Sequence, residues 1–164
     1  MSREPQWVGI ARGDIGLREI PGAPTAPKIG AWLAKLGAWW RDDETPWCGT
    51  AAAAWMDACG IKPAKNWFRA KAWLDWGTPI GSPVVGAVVV FDRAGGGHVG
   101  LVIGRDQTGR LLVLGGNQGN AVSIAPFDSA RVIGYRWPTE RLNELSAGPL
   151  PVTVAAGPSS SNEA

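Results

Sequence analysis

The sequence is poor in the residues that build covalent or metal-held frameworks. Of 164 residues only two are cysteine, Cys48 and Cys59, and only one is histidine, His98. On a single helix the two thiols would share nearly one face but lie ~16 Å apart along the axis. A disulfide tolerates a Cα separation of only ~7 Å, so the two cannot pair with each other. No CxxC pair or Cys/His cluster occurs, so a structural zinc site is not expected, nor any other metal or cofactor. Lys/Arg runs, nucleic-acid motifs and internal repeats are also missing. A net charge of +2 is too small to argue for nucleic acid as a partner. No apolar run reaches ~18 residues, and no signal-peptide-like stretch follows Met1–Pro5. The expectation is a soluble, monomeric chain made in the cytoplasm, with no stable membrane insertion.

Hydrophobic residues make up 45% and charged residues 18% of the chain, the composition of a globular protein of one domain. Ten tryptophans are far above ordinary usage. Simple core filling accounts for about half of them, and so many amphipathic rings also fit a groove that grips an extended polymer.

The front half reads as helical and the back half as strands. Gln6–Leu17 carries Trp7, Ile10 and Ala11 at helical spacing and is broken by Glu19-Ile20-Pro21-Gly22-Ala23-Pro24. Lys28–Leu36 repeats Ile29, Trp32, Leu33 and Leu36 at i, i+3, i+4 and i+7. After the polar loop Arg41–Glu44, Thr45 suits an N-cap, Pro46 the first helical position and Gly60 the exit of an alanine-rich helix. Asn66–Trp76 reads as another short helix. Strands are expected at Val84–Phe91 (apolar on both faces), His98–Ile103, Leu111–Leu114, Ala121–Ala125 and Val132–Trp137, with a hairpin turn at Arg105–Gly109. The catalytic domain is expected to span residues 1–140. A Gly/Pro/Ser-rich flexible tail is expected over 141–164.

The helix-start signals place Cys48 in the first turn, where unpaired N–H groups and the helix dipole favour a thiolate. Burial as a small hydrophobe is the competing reading, and it is the preferred one for Cys59. His98 follows Gly95-Gly96-Gly97 and shares a strand face with Gly100, glycines that would clear space for a substrate backbone. Any Cys/His mechanism in this chain must use it as the base. A third group should orient the imidazole. If the hairpin partner of His98 returns to the same end of the sheet, Asn117 arrives beside the ring. Gln118 is the other candidate, and a plain turn role for Asn117 and Asn120 is a third reading. Trp47, Asp43 and Glu44, just before the nucleophile, would line the cleft with Gly97 and Gln118. The acidic pair could bind substrate amines or simply form a solvated loop.

Pro46-Trp47-Cys48 opening a small-residue helix, then Gly86–Phe91, Gly97-His98-Val99-Gly100 and Gly115-Gly116-Asn117-Gln118, in this order, resemble the NlpC-type and CHAP families of papain-like cysteine peptidases and amidases. The resemblance covers roughly Trp7 to Trp137. Glu19-Ile20-Pro21-Gly22 further resembles the lead-in of a phage-associated branch. The resemblance implies an α+β, papain-like fold, with N-terminal helices and the cysteine helix packed on an antiparallel sheet of about five strands. It also implies Cys48 as nucleophile, His98 as base and Asn117 as orienter, with bacterial peptidoglycan as the partner. The reaction implied is hydrolysis of a stem-peptide amide, as endopeptidase or N-acetylmuramoyl-L-alanine amidase. A phage endolysin released to the wall by another factor is the expected setting. A secreted antibacterial toxin, a tail-associated wall hydrolase, an inactive wall-binding module and an intracellular deamidase or acyltransferase are the alternatives. Relatives often carry Ala or Ser where this chain has Gly49, a glycine that could let substrate close in on the thiol.

Overall fold

The alanine-rich segment after Pro46 becomes the hub around which the other elements pack. A computed structural model describes residues 4–20, 26–40, 46–146 and 148–153. Among these, three α-helices, α1 (Gln6–Arg12), α2 (Pro27–Lys35) and α3 (Cys48–Ala58), precede the strands. Helix α3 buries every residue from Cys48 to Ala53, and Trp55 and Met56 as well. A helix apolar on all sides is stable only when enclosed, and its alanines allow close approach of its neighbours. It lies against the sheet on one side and against α1 and α2 on another. Asp14, just past α1, ties the three helices together: its carboxylate accepts the Trp55 indole N–H at 2.9 Å and pairs with Lys28 of α2.

The strands are β1 (Thr78–Ile80), β2 (Val88–Arg93), β3 (Gly96–Asp106), β4 (Leu111–Gly115), β5 (Ser123–Phe127), β6 (Val132–Trp137) and β7 (Val152–Thr153). They form one sheet in the order β1-β6-β2-β3-β4-β5, with β7 beside β3. All pairings are antiparallel except that of β7 with β3. The fold is therefore α+β as expected, with seven described strands instead of about five. The two extra strands are too short to carry a periodic signal.

Three local expectations change, each for a physical reason. Helix α1 stops at Arg12 rather than Leu17, because the chain beyond it pairs with the segment after β4. Gly16 N–H donates to Val122 at 3.0 Å, and Val122 N–H to Leu17 at 2.8 Å. The strand expected from Val84 starts at Val88. Gly86 turns the chain at a φ of +93°, and its carbonyl accepts the buried Trp7 indole at 2.8 Å. The Asn66–Trp76 helix is reduced to turns and a 3₁₀ segment, Ala70–Asp75. The segment after Pro138 carries local structure. A 3₁₀ segment spans Thr139–Glu144, Leu150 is buried, and β7 pairs with Arg105 and Asp106. Strand β3 outruns β2 at that end, and β7 satisfies the exposed edge. Residues 154–164 lie outside the described residues.

Six tryptophans are buried: Trp7, Trp47, Trp55, Trp73, Trp76 and Trp137. Trp32, Trp40 and Trp67 are partly buried against the core, and Trp39 is 89% exposed. Core filling thus takes more than the expected half.

The β3–β4 hairpin is closed by Asp106. Its carboxylate accepts from the Thr108 N–H at 2.9 Å and hydroxyl at 2.8 Å, and from the Arg110 N–H at 3.0 Å and Nε at 2.7 Å. Burial pushes its pKa up, but these hydrogen bonds outweigh it and bring the group down to about 2. A depressed carboxyl contributes stability that is complete above its ordinary value of ~4 and is lost as pH falls through the folded value. Urea unfolding from pH 5 to 2 should show a steep acid loss in the native protein. Asp106→Asn should be less stable at pH 5 and show a flatter acid limb.

Candidate active site

Cys48 opens α3, with Trp47 as the residue before it, and is 4% exposed. The N-cap expected at Thr45 lies outside the described residues. Burial alone pushes the Cys48 thiol pKa up. The charge and proximity of His98, aided by the backbone N–H groups of Val99 and Gly49, outweigh that and hold the pKa below the ordinary thiol value. Cys59, at the other end of the helix, is pushed up by burial. The two thiols are free and occupy opposite electrostatic settings.

His98 is fully buried on β3. It pairs across the sheet with Phe91 of β2, and its ring stacks on Phe127 at 5.3 Å and 11°. Flat packing of this kind limits ring rotation. Its Nε2 lies 2.9 Å from Gln118 Oε1. The orientation of that amide follows from its other partners: Gln118 Nε2 donates to the carbonyls of Val113 at 3.1 Å and Ser123 at 2.8 Å. Only an NH2 group can face two carbonyls, so the oxygen faces the histidine. In the neutral ring the proton therefore sits on Nε2, and Nδ1 is the nitrogen left to face the thiol.

The residue meeting the imidazole is thus Gln118, where the sequence favoured Asn117. The hairpin register (Leu101 opposite Leu114) continued unbroken would set His98 opposite Asn117. Strand β4 ends at Gly115, however, and Asn117 adopts a φ of +58°, a left-handed conformation that asparagine tolerates better than most residues. The turn reading of Asn117 and Asn120 describes the backbone here. That twist delivers the next side chain to the ring. The loop can sit this close to α3 because residue 116 is glycine: a Cβ there would come within 2.6 Å of the Ala51 Cβ.

The expected substrate-contacting residues divide. Gly97 lines a cleft of about 440 Å³ that reaches Cys48. Trp47 and Gln118 are both buried and support the site from behind, with the Trp47 indole donating to Glu19 at 3.2 Å. Asp43 and Glu44 lie outside the described residues. The charged residues that line the cleft among the described residues are cationic: Arg69, Lys71 and Arg93. The sequence reading missed them because they come from separate segments that only the fold brings together. Gly100 does not clear room for substrate, since a Cβ there would meet the Val113 side chain at 2.5 Å. Among the described residues no group of three or more His, Cys, Asp and Glu is placed to hold a metal ion. No helix among them is long and apolar enough to cross a membrane.

A buried thiol at a helix start, beside an imidazole that an amide holds from behind, is an arrangement suited to cysteine/histidine-dependent hydrolysis. The model of the CHAP domain family matches residues 39–117, which run from just before α3 to the loop carrying Asn117. That stretch is similar to the CHAP domain, a family that is generally a cysteine/histidine-dependent hydrolase of peptidoglycan. No curated protein matches the chain.

Gly49 follows the nucleophile, and its missing side chain admits protein rather than substrate. A Cβ there would sit 2.0 Å from the Trp67 carbonyl oxygen. Alanine would add about 1 kcal/mol of helix propensity, but overpacking against backbone costs about 1–3 kcal/mol. Gly49→Ala should therefore lower the urea midpoint, against the propensity scale, and slow Cys48 alkylation by displacing the first turn of α3.

Proposed function

We propose that the protein hydrolyses an amide bond of the peptidoglycan stem peptide, with Cys48 as nucleophile, His98 as general base and acid, and Gln118 as the residue that orients the imidazole. The observation that carries this reading is a buried cysteine that opens a helix and lines a cleft, with the one imidazole of the chain fixed by Gln118 at 2.9 Å and near enough to hold the thiol pKa down. Burial without a partner would drive it the other way.

In the forward step the Cys48 sulfur attacks the scissile carbonyl and its proton resides on His98 Nδ1. An α-helix leaves its first N–H groups without intrahelical acceptors, and Cys48 lies in that turn, so the oxyanion would form beside ready donors. His98 then protonates the departing amine, leaving a thioester on Cys48. Water attacks the thioester while His98 takes its proton. The carboxylic acid product leaves and the thiol is regenerated. Throughout, Gln118 Oε1 accepts the Nε2 proton and keeps Nδ1 aimed at the reacting atoms. The phage-lysis setting and delivery to the wall by another factor are part of this reading and rest on the resemblance of the motifs alone.

Purified peptidoglycan incubated with the protein should yield new ends by mass spectrometry. A released stem with a free lactyl group marks an amidase, and new amines within peptides mark an endopeptidase. Cys48→Ala should abolish both while preserving the folded circular dichroism spectrum; unchanged activity in this variant would sink the proposal.

Loss of the group that fixes a catalytic tautomer lowers turnover by up to ~10⁴-fold. Gln118→Ala is expected to reduce kcat by about 10²-fold or more on that basis and to alter the pH–rate profile. Asn117→Gly, which keeps the left-handed turn, should retain most activity. The opposite ranking would return the orienting role to Asn117.

A further inference from the structure

We infer that Arg69, with Lys71 beside it, forms a carboxylate-binding subsite in the cleft at Cys48, so that the enzyme prefers peptides with an acid close to the scissile amide. The inference rests on the peptide-amide chemistry proposed above and names the substrate class within it. The cleft is lined by Phe68–Lys71, by Arg93 and Gly95–Gly97 of the β2–β3 hairpin, and by Pro46 and Cys48 at the start of α3. Three cations from two separate segments thus share the cleft that Cys48 lines, and no carboxylate of the described residues lines it.

Lys71 is ion-paired with Asp92 at 2.8 Å, but both groups are well exposed, so water screens the pair. Arg69 is different. Its guanidinium lies over the Phe68 ring, 5.8 Å from the centroid, which steadies the side chain without neutralising it. No ion pair involving Arg69 occurs among the described residues. A planar guanidinium held against an aromatic wall presents its remaining N–H groups as a fork matching a carboxylate. A cleft lined by one sign of charge also concentrates the opposite charge within it. The mild net charge of +2 gives no hint of this local excess.

Two measurements test the subsite. In the first, wall-derived stem peptides with free carboxylates are compared with the same peptides amidated at those positions. Arg69→Gln should raise KM about tenfold for the free acids, the scale of one charge-assisted hydrogen bond. It should leave kcat and the amidated peptides nearly unchanged. Lys71→Gln should act in the same direction with smaller effect. An equal change on both peptide sets overturns the inference. The second measurement needs no substrate. In a Cys59→Ser background, Cys48 is alkylated by iodoacetate, which is anionic, and by iodoacetamide, which is neutral. Either reagent forms the same S–C bond with release of iodide. The iodoacetate/iodoacetamide rate ratio should fall severalfold in Arg69→Gln, and an unchanged ratio overturns the subsite. If no stem peptide is cleaved by any form, the proposed function fails, and the alkylation ratio still decides whether the cleft attracts a carboxylate.

Discussion

The hydrogen bond between Gln118 Oε1 and His98 Nε2 sets the chemistry of the site, and much of the surrounding structure serves to fix its direction. An amide could present either end to an imidazole. Here the carbonyls of Val113 and Ser123 claim the NH2 group, one from β4 and one from β5, so the sheet itself chooses the end. The Ser123 hydroxyl adds a bond back to the Gln118 carbonyl at 3.1 Å. With Phe127 stacked on the ring, His98 is held by its edge and its face. The consequence reaches Cys48: the positive charge of a protonated imidazole held nearby favours the thiolate that burial alone would suppress.

Close packing around α3 is the second constraint, and it explains why small residues crowd its N-terminal half. Ala51 faces the Gly115–Gln118 loop through Gly116, and Gly49 faces the backbone of Trp67. Both contacts are approaches that one extra methyl group would prevent. The first brings the orienting amide to the nucleophile end of the helix. The second fixes the segment that carries Phe68, Arg69 and Lys71 along the cleft. The catalytic arrangement and the cationic wall therefore depend on the same helix surface, one through each of its neighbours.

Some of this was legible in the sequence. The helix-start signals separated Cys48 from Cys59, and the glycine-led strand with its hairpin brought the only histidine near the loop after β4. Cys48 does open α3, although the helix starts past Pro46, which the sequence set at the first helical position. His98 does lie on a strand of a short hairpin, and both placements depend on local rules. The choice between Asn117 and Gln118 did not follow from them. Counting register assumes the ladder continues, and a single left-handed residue ends it. The two strands at the sheet margins also escaped, since three residues at Thr78–Ile80 and two at Val152–Thr153 are held by partners distant in sequence. The roles of Gly49 and Gly100 were misread for a related reason. A missing Cβ in a sequence says that something approaches, not what.

The sequence by itself determined which atoms could do chemistry, because one histidine and one helix-starting cysteine leave little choice. It also determined the α-then-β order of the chain, through residue periodicity. Tertiary structure alone decided which amide holds the imidazole and which charged groups line the cleft. Those properties belong to the placement of segments far apart in the chain: His98 beside Gln118 across a hairpin, Arg69 and Arg93 in one cleft. Local patterns constrain each segment's shape, but only packing sets the separations on which hydrogen bonds and electrostatics depend.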